Sequence, residues 1–434
     1  MLRRLDLRGH EGDLSGLLPR PVVDGEGPVE AVRAIVADVR ERGDAALLEL
    51  GERFDGVRPT SLSIVADDLA AALDRVEPPV RAALEAAAEN VRLHHEGQVV
   101  EPHEWSRGGL TVSSRAVPVE RAGCYVPGGR AAYPSTVLMT AVPARVAGVD
   151  EVVVCVPPGG DGRVPDVTLA AAAIAGVDEL HPIGGAQAIA ALAFGTGSVR
   201  PVDVVVGPGN VYVALAKREV AGRVGVPSAF AGPSEVVVIA DASAPVAFAA
   251  VDVVVQAEHG PDGLAWLVTW DEEVADAVEA EIVALAEASP RRADIEATLT
   301  VAGHTVLVDG PAQALAVADL IAPEHLQLMV EGAEEVAARV RHAGAVFCGP
   351  WSPASLGDYV AGPSHVLPTA GTARFSGALT VADFTKDLHV VTAGSDAIAD
   401  LGPHVVALAD AEGLDAHAES VRRRLAVLEE ATDA

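Results

Sequence analysis

The spacing of apolar and polar positions changes character along this 434-residue chain, and the change separates two kinds of structure. From about 28 to 100, alanines and charges recur at helical intervals, in the run 29–40 and again over 81–95, which predicts polar-faced helices. From about 115, short Val/Ile-rich runs (151–156, 179–183, 202–206) alternate with Ala-rich stretches (167–175, 186–194, 211–220). That alternation has βαβ spacing and implies a mainly parallel sheet covered on both faces.

A second series repeats the pattern. Runs at 235–240, 266–269, 305–308 and 345–348 are separated by helical stretches at 245–258, 272–288 and 312–321. The expected fold class is therefore α/β, with two Rossmann-like domains, each built on an incomplete, mainly parallel sheet. The N-terminal helices are expected to join one domain, and a small helical appendage to follow residue 380. Length agrees with two domains sharing a cleft, because single cores stop growing at about 250–300 residues.

Composition narrows the partners. Acidic residues number 62 against 31 basic ones, a formal charge of −31 that repels nucleic acid and anionic membranes. No apolar run reaches the roughly 18 residues of a membrane span, and no secretory signal follows Met1, so a cytoplasmic protein is expected. Three widely spaced cysteines, Cys124, Cys155 and Cys348, make no disulfide framework.

Candidate chemistry sits in a few polar clusters on this Ala/Val-rich background. Glu324 and His325 open an apolar run and are a candidate acid/base pair. The competing reading is a helix-ending turn with His325 packed on the sheet. Strand geometry points neighbours to opposite faces, so joint action demands an irregular backbone. Gln256 and His259 lie three apart at a predicted helix end, and Asp358 and His417 add oxygen and imidazole donors of the kind that suits Zn²⁺. On spacing alone a Gln-x-x-His pair is more often a capped helix end than a ligand pair, and the closure of 256, 358 and 417 is not visible. His365 follows Gly362-Pro-Ser in a loop, where function concentrates.

Gly-rich turns at Pro127-Gly-Gly, Gly184-Gly-Ala-Gln187 and Gly207-Pro-Gly-Asn210 end predicted strands and are candidates for a cofactor seat. None spells Gly-x-Gly-x-x-Gly, so a dinucleotide would be held in an unorthodox way.

The ordered motifs closely resemble histidinol dehydrogenase. They are Gly123-Cys-Tyr-Val-Pro-Gly-Gly-Arg-Ala-Ala-Tyr-Pro-Ser, Gly184-Gly-Ala-Gln, Gly207-Pro-Gly-Asn, Gly232-Pro-Ser-Glu, Gln256-Ala-Glu-His, Pro323-Glu-His, Gly357-Asp-Tyr-Val-Ala-Gly-Pro-Ser-His and Gly413-Leu-Asp-Ala-His. The resemblance implies a zinc-dependent homodimer that oxidises L-histidinol to L-histidine in two steps through the aldehyde, each step reducing one NAD. It implies zinc at Gln256, His259, Asp358 and His417, acid/base roles for Glu324 and His325, and substrate contacts from Ser234, His365 and Glu412 together with the zinc-binding residues and His325. Tyr125, Gln187 and Asn210 are implied to contact NAD.

The domains expected with it are an N-terminal segment 1–21, a first α/β domain of 22–105 plus 234–379, a second of 106–233, and a tail 380–434. In this family the tail is exchanged between subunits, so that Glu412 and His417 complete the partner's site. Four alternatives stand beside this reading: a dehydrogenase of a related amino alcohol, an aldehyde dehydrogenase using Cys124, a metal-dependent hydrolase, and a non-catalytic binding protein.

Overall fold

The structure, a computed structural model, describes residues 1–19, 27–128, 131–229, 232, 234–257 and 263–432. It divides into two units: Met1–Gln98 with Val119–Phe384, and Val99–Pro118 with Thr385–Ala434.

The first unit begins with strand β1 (Arg3–Asp6) and helices α1 (Val29–Arg42), α2 (Asp44–Asp55), α3 (Ala66–Ala72) and α4 (Pro78–Glu96). A hairpin of the second unit, β2 (His103–Arg107) and β3 (Leu110–Pro118), interrupts it. Then come β4 (Arg121–Tyr125), α5 (Pro134–Val146), β5 (Glu151–Cys155), α6 (Asp166–Ile174), β6 (Glu179–His181), α7 (Gly185–Phe194), β7 (Val204–Val206) and α8 (Val211–Val220). These four strands form one parallel sheet in the order β6-β5-β4-β7. The period-2 rule holds inside it: Val152 and Val154 face one core, Val153 and Cys155 the other.

The second series supplies β8 (Glu235–Ala240), α9 (Val246–Val255), β9 (Leu264–Thr269), α10 (Glu272–Ala288), α11 (Arg292–Ala302), β10 (Gly303–Leu307), α12 (Pro311–Ile321), β11 (His325–Met329), α13 (Ala333–Ala337), β12 (Ala345–Cys348) and α14 (Ala354–Tyr359). With β1 they make a six-stranded parallel sheet, β1-β10-β9-β8-β11-β12. Val237 and Ile239 pack on one side of it, Val236 and Val238 on the other.

Two mainly parallel α/β layers are thus present, as the alternation predicts. The packing of the N-terminal helices differs from the grouping of 22–105 with 234–379. Val32, Ile35, Leu47 and Leu50 of α1 and α2 join the core beside α7 and α8, while Leu69, Leu84 and Val91 of α3 and α4 join the core beside α5 and α6. Their apolar stripes close over the helices of the four-stranded sheet, which is where that sheet's Ala-rich helices leave apolar surface to cover.

In the second unit, β2 and β3 form an antiparallel sheet with β13 (Thr385–Ala393), and α15 (Ser395–Ala411) packs on α16 (Asp415–Thr432). Gly402 makes the close helix approach, since a Cβ there would lie 3.1 Å from Val421 Cγ1. The helical appendage expected after residue 380 is this α15–α16 pair, preceded by β13. Among the described residues no helix is long and apolar enough to cross a membrane.

One glycine in the first unit is a backbone requirement. Gly207, after β7, has φ +103°, and a Cβ there would lie 2.0 Å from the Tyr125 carbonyl oxygen. Gly207→Ala is expected to destabilise the fold by about 2 kcal/mol or more, read as a lower urea midpoint at unchanged slope; a wild-type midpoint would remove the claim that this close approach is required.

Candidate active site

The acid/base candidates meet at the start of two neighbouring strands. β11 pairs in parallel with β8, His325 opposite Val236, so the residue just before each pairing, Glu324 on one strand and Glu235 on the other, sits where the ladder begins. α12 ends immediately upstream with Ala322 at φ 51°, a left-handed conformation that costs a non-glycine residue about 1–2 kcal/mol. The irregular entry that joint action demands is present here.

Both side chains turn to the main chain of Glu235. The Glu235 N–H donates to Glu324 Oε2 at 3.0 Å, and His325 Nδ1 donates to the Glu235 carbonyl at 3.1 Å. Because a carbonyl only accepts, Nδ1 carries the proton and Nε2 is the variable nitrogen. Nε2 lies 3.1 Å from Asp358 Oδ1 on α14. Phe347 of β12 stacks beside the ring, with centroids 6.0 Å apart.

Burial sets the electrostatics. Removal from water pushes Glu324 up to about 7, against the opposing pull of His325 and the Glu235 N–H. Burial alone would lower His325, but the carboxylates of Glu324 and Asp358 outweigh it and raise the imidazole to about 9. Glu235 is itself nearly inaccessible, at 2% exposed, and burial raises its carboxyl to about 8; Ala370 N–H opposes that shift and the charge of Glu324 adds to it.

Two of the four expected metal ligands come together in this unit. Gln256 caps the C-terminus of α9, is 1% exposed, and its Nε2 reaches Asp358 Oδ2 at 3.4 Å. Its Oε1 is buried with no hydrogen-bond partner among the described residues. A buried orphan amide oxygen beside a carboxylate, at the negative end of a helix, is a donor set that fits a cation. His259 lies outside the described residues. Among the described residues no three His, Cys, Asp or Glu side chains converge as a metal site.

Of the expected substrate residues, Ser234 immediately precedes β8, and its carbonyl accepts the N–H of Leu264. His365 is held at both ring nitrogens: Nδ1 donates to the Asp358 carbonyl at 2.8 Å, and Nε2 faces Thr136 Oγ1 at 2.9 Å. Glu412 and His417 belong to the second unit, where both are exposed around the α15–α16 turn.

The expected cofactor residues Tyr125, Gln187 and Asn210 line one cavity of about 400 Å³, beyond the C-terminal ends of the four-stranded sheet. Tyr125 Oη accepts the N–H of Gly185 at the start of α7, and the Asn210 side chain caps α8 by accepting from Tyr212 and Val213. Helix N-termini supply unpaired N–H groups of the kind that bind anions. Ile35, Phe54 and Asp55 from the N-terminal helices complete the wall and were not singled out in the sequence. Lys217 was also missed. Its buried ammonium, lowered to about 8 by burial, donates to the carbonyls of Gly207 and Ser228 and so braces the turn leading to Asn210. Cys124 is wholly buried and its thiol is pushed up to about 12 by burial, which leaves it without nucleophilic character.

Comparisons with known proteins agree with this picture. A family model described as histidinol dehydrogenase matches residues 18–425. The histidinol dehydrogenase of Parasynechococcus marenigrum (strain WH8102) is 48% identical over 97% of this chain and 96% of that protein. That of Thermobifida fusca (strain YX) is 47% identical over 98% of each. The crystal structure of histidinol dehydrogenase from Elizabethkingia anophelis matches with a TM-score of 0.93 and 32% identity, covering 99% of both chains.

The raised carboxyl of Glu235 has a consequence for stability. A group whose pKa is higher folded than unfolded stabilises fully below its unfolded value and loses that contribution as pH rises through the folded one, here from 4.5 to about 8. Against E235Q, which cannot ionise, wild-type melting temperature is expected to fall progressively between about pH 5 and 8. Parallel curves for the two proteins would show that Glu235 is not held neutral.

Proposed function

The chain belongs to the histidinol dehydrogenase family and is an oxidoreductase of histidine biosynthesis, and from the site described above we propose that it carries out the zinc- and NAD-dependent four-electron oxidation of L-histidinol to L-histidine by way of L-histidinaldehyde. The observation that carries this reading is the joint hold of Glu324 and His325 on the main chain of Glu235. The reaction needs two kinds of proton acceptor, and two are fixed there side by side.

Loss of the first hydride from a primary alcohol requires its hydroxyl to give up a proton. His325 Nε2 takes it, because Nδ1 is committed to the Glu235 carbonyl, and engagement of Asp358 by a bound metal would withdraw the carboxylate charge that otherwise keeps Nε2 protonated. The aldehyde then has no hydride that can leave as an acid forms until water adds. Glu324, tuned near neutrality by burial and held at Oε2 by the Glu235 N–H, takes the proton from that water. His325 takes the last proton, from the hydrate, as the second hydride departs.

Each oxidation delivers one hydride to NAD, which Tyr125, Gln187 and Asn210 would contact. Zinc, when bound, would hold the substrate's amine and imidazole in one orientation, with Gln256, His259, Asp358 and His417 of the partner subunit as its holders. Ser234 and His365 would contact substrate, joined by Glu412 of the partner subunit.

Exposed apolar surface supports the homodimer. Trp351 is 82% exposed and stacks edge-on with Phe248, at 5.7 Å between centroids, while Leu356 and Tyr359 stand exposed on α14, the helix that carries Asp358. Large exposed aromatics of this kind mark association surfaces. A cytoplasmic setting belongs to the same proposal.

The stoichiometry tests the reading. Two NADH per L-histidinol are expected, lost on chelation and regained with zinc; one NADH, or activity indifferent to chelation, overturns it. E324Q is expected to slow oxidation of the aldehyde by about 10²-fold or more. Wild-type kcat on the aldehyde should rise as pH passes about 7, where Glu324 ionises, and that limb should be absent from E324Q; an unchanged profile in the variant would assign the limb to another group.

A further inference from the structure

Glu235 is a charged residue type at the head of a strand whose other five residues, Val236 to Ala240, are all buried and apolar. Its main chain holds both members of the acid/base pair, and its side chain has a separate task. Glu235 Oε1 accepts the N–H of Ala370 at 2.8 Å, while Oε2 is buried with no partner among the described residues. Ala370 has φ 56°. It and Ala322 are the two non-glycine residues with positive φ among the described residues, and both flank this cluster. A left-handed alanine is unfavourable unless its surroundings hold it, and the hydrogen bond to Glu235 is such a hold.

The segment around Ala370 backs directly onto the site. Thr369 and Ala370 pack against Gly232, where a Cβ would lie 2.6 Å from Thr369 Oγ1. Pro368 approaches Gly344, where a Cβ would lie 2.6 Å from the Glu324 carbonyl oxygen. The same segment begins with Ser364, tied to the Met139 carbonyl, and His365, tied to Asp358.

We propose that Glu235 is a positioning residue of this site: its main chain sets the Glu324 carboxylate and the His325 ring, and its side chain, through Ala370, locks the 364–372 segment with His365 to the same strand end. It works as a neutral carboxyl. The groups facing it are Glu324, just before β11, His325 at its start and the Ala370 N–H, and a single hydrogen bond does not sustain a second buried anion beside Glu324. An amide at this position therefore retains the function.

The inference rests on the acid/base reading of Glu324 and His325, and the experiment separates the two. Steady-state kinetics with L-histidinol are measured on the metal-loaded full chain and its variants. E235Q keeps the acceptor for Ala370 and is expected within about threefold of wild-type kcat. E235M fills similar volume without an acceptor and is expected to lose at least tenfold in kcat with KM for histidinol changed less than threefold. Adding A370G to E235M, which lets residue 370 hold its conformation unaided, is expected to restore part of the lost kcat. Should E235M not fold, E235D, whose shorter side chain withdraws the acceptor, is read in its place. Wild-type kcat in E235M, or a tenfold loss in E235Q, overturns the inference. E324Q and H325N run alongside: if they collapse kcat while E235M matches wild type, the positioning role alone falls, whereas full activity in both removes the acid/base reading beneath it.

Discussion

The direction of the parallel β-α unit governs where chemistry is placed in this chain. Each strand starts where the preceding helix ends and ends where the next helix starts, so one rim of a parallel sheet collects carbonyl-rich helix C-termini and the other collects N–H-rich N-termini. The six-stranded sheet uses its first rim. α9 ends in Gln256 and α12 ends in Ala322, two residues before Glu324, so the orphan amide oxygen, Asp358 and the acid/base pair gather where partial negative charge favours a cation. The four-stranded sheet uses the opposite rim. There Gly185 and Asn210 open α7 and α8 around the cavity, where partial positive charge favours the phosphates of a dinucleotide. The proposed metal and the proposed cofactor thus call for opposite rims, and two sheets in one chain supply them.

Within the first rim, the pairing of β8 with β11 converts sheet geometry into chemistry. An N–H at the head of a strand has no ladder partner, and the Glu235 N–H is given to a carboxylate while the adjoining carbonyl takes a ring N–H. A slip of one residue would exchange the faces of every side chain on β11, moving Leu326 and Leu328 out of one core, so hydrophobic burial in the strand fixes the acid/base geometry at its head.

Much of this was legible in the chain. The alternation of Val-rich and Ala-rich stretches located most strands of both parallel sheets, and Gly-rich turns marked the cavity, because close backbone approach leaves glycine as its trace. Gln256 was readable as a helix end. The β2–β3 hairpin was not, since its residues are largely exposed or half-buried and carry no strict alternation to read. The packing of α1 to α4 was not, because an apolar stripe says that a helix is covered and not by what. Thr136 and Glu235 stood within or beside quoted motifs, yet their roles come from long-range closure: Thr136 meets His365 across 229 residues, and Glu235 meets Ala370 across 135. His365, expected at substrate, has both nitrogens engaged within the protein, a commitment no local pattern encodes.

The formal charge of −31 and the site obey different electrostatics. Surface carboxylates such as Asp6 and Glu89 are held below their ordinary values by arginine partners, and at physiological ionic strength their fields fade within about 8 Å. Glu235 and Glu324 move the other way, because for them loss of water outweighs every stabilising contact. The basicity that the proposed role of Glu324 calls for is therefore a property of enclosure and not of the residue. Any opening that admitted solvent would return it toward an ordinary carboxylate and weaken it as a base. Gly344 packs against the Glu324 carbonyl and Pro368, and Ala370 ties the following segment to Glu235, so residues with no contact to the reacting atoms would set the strength of the proposed base.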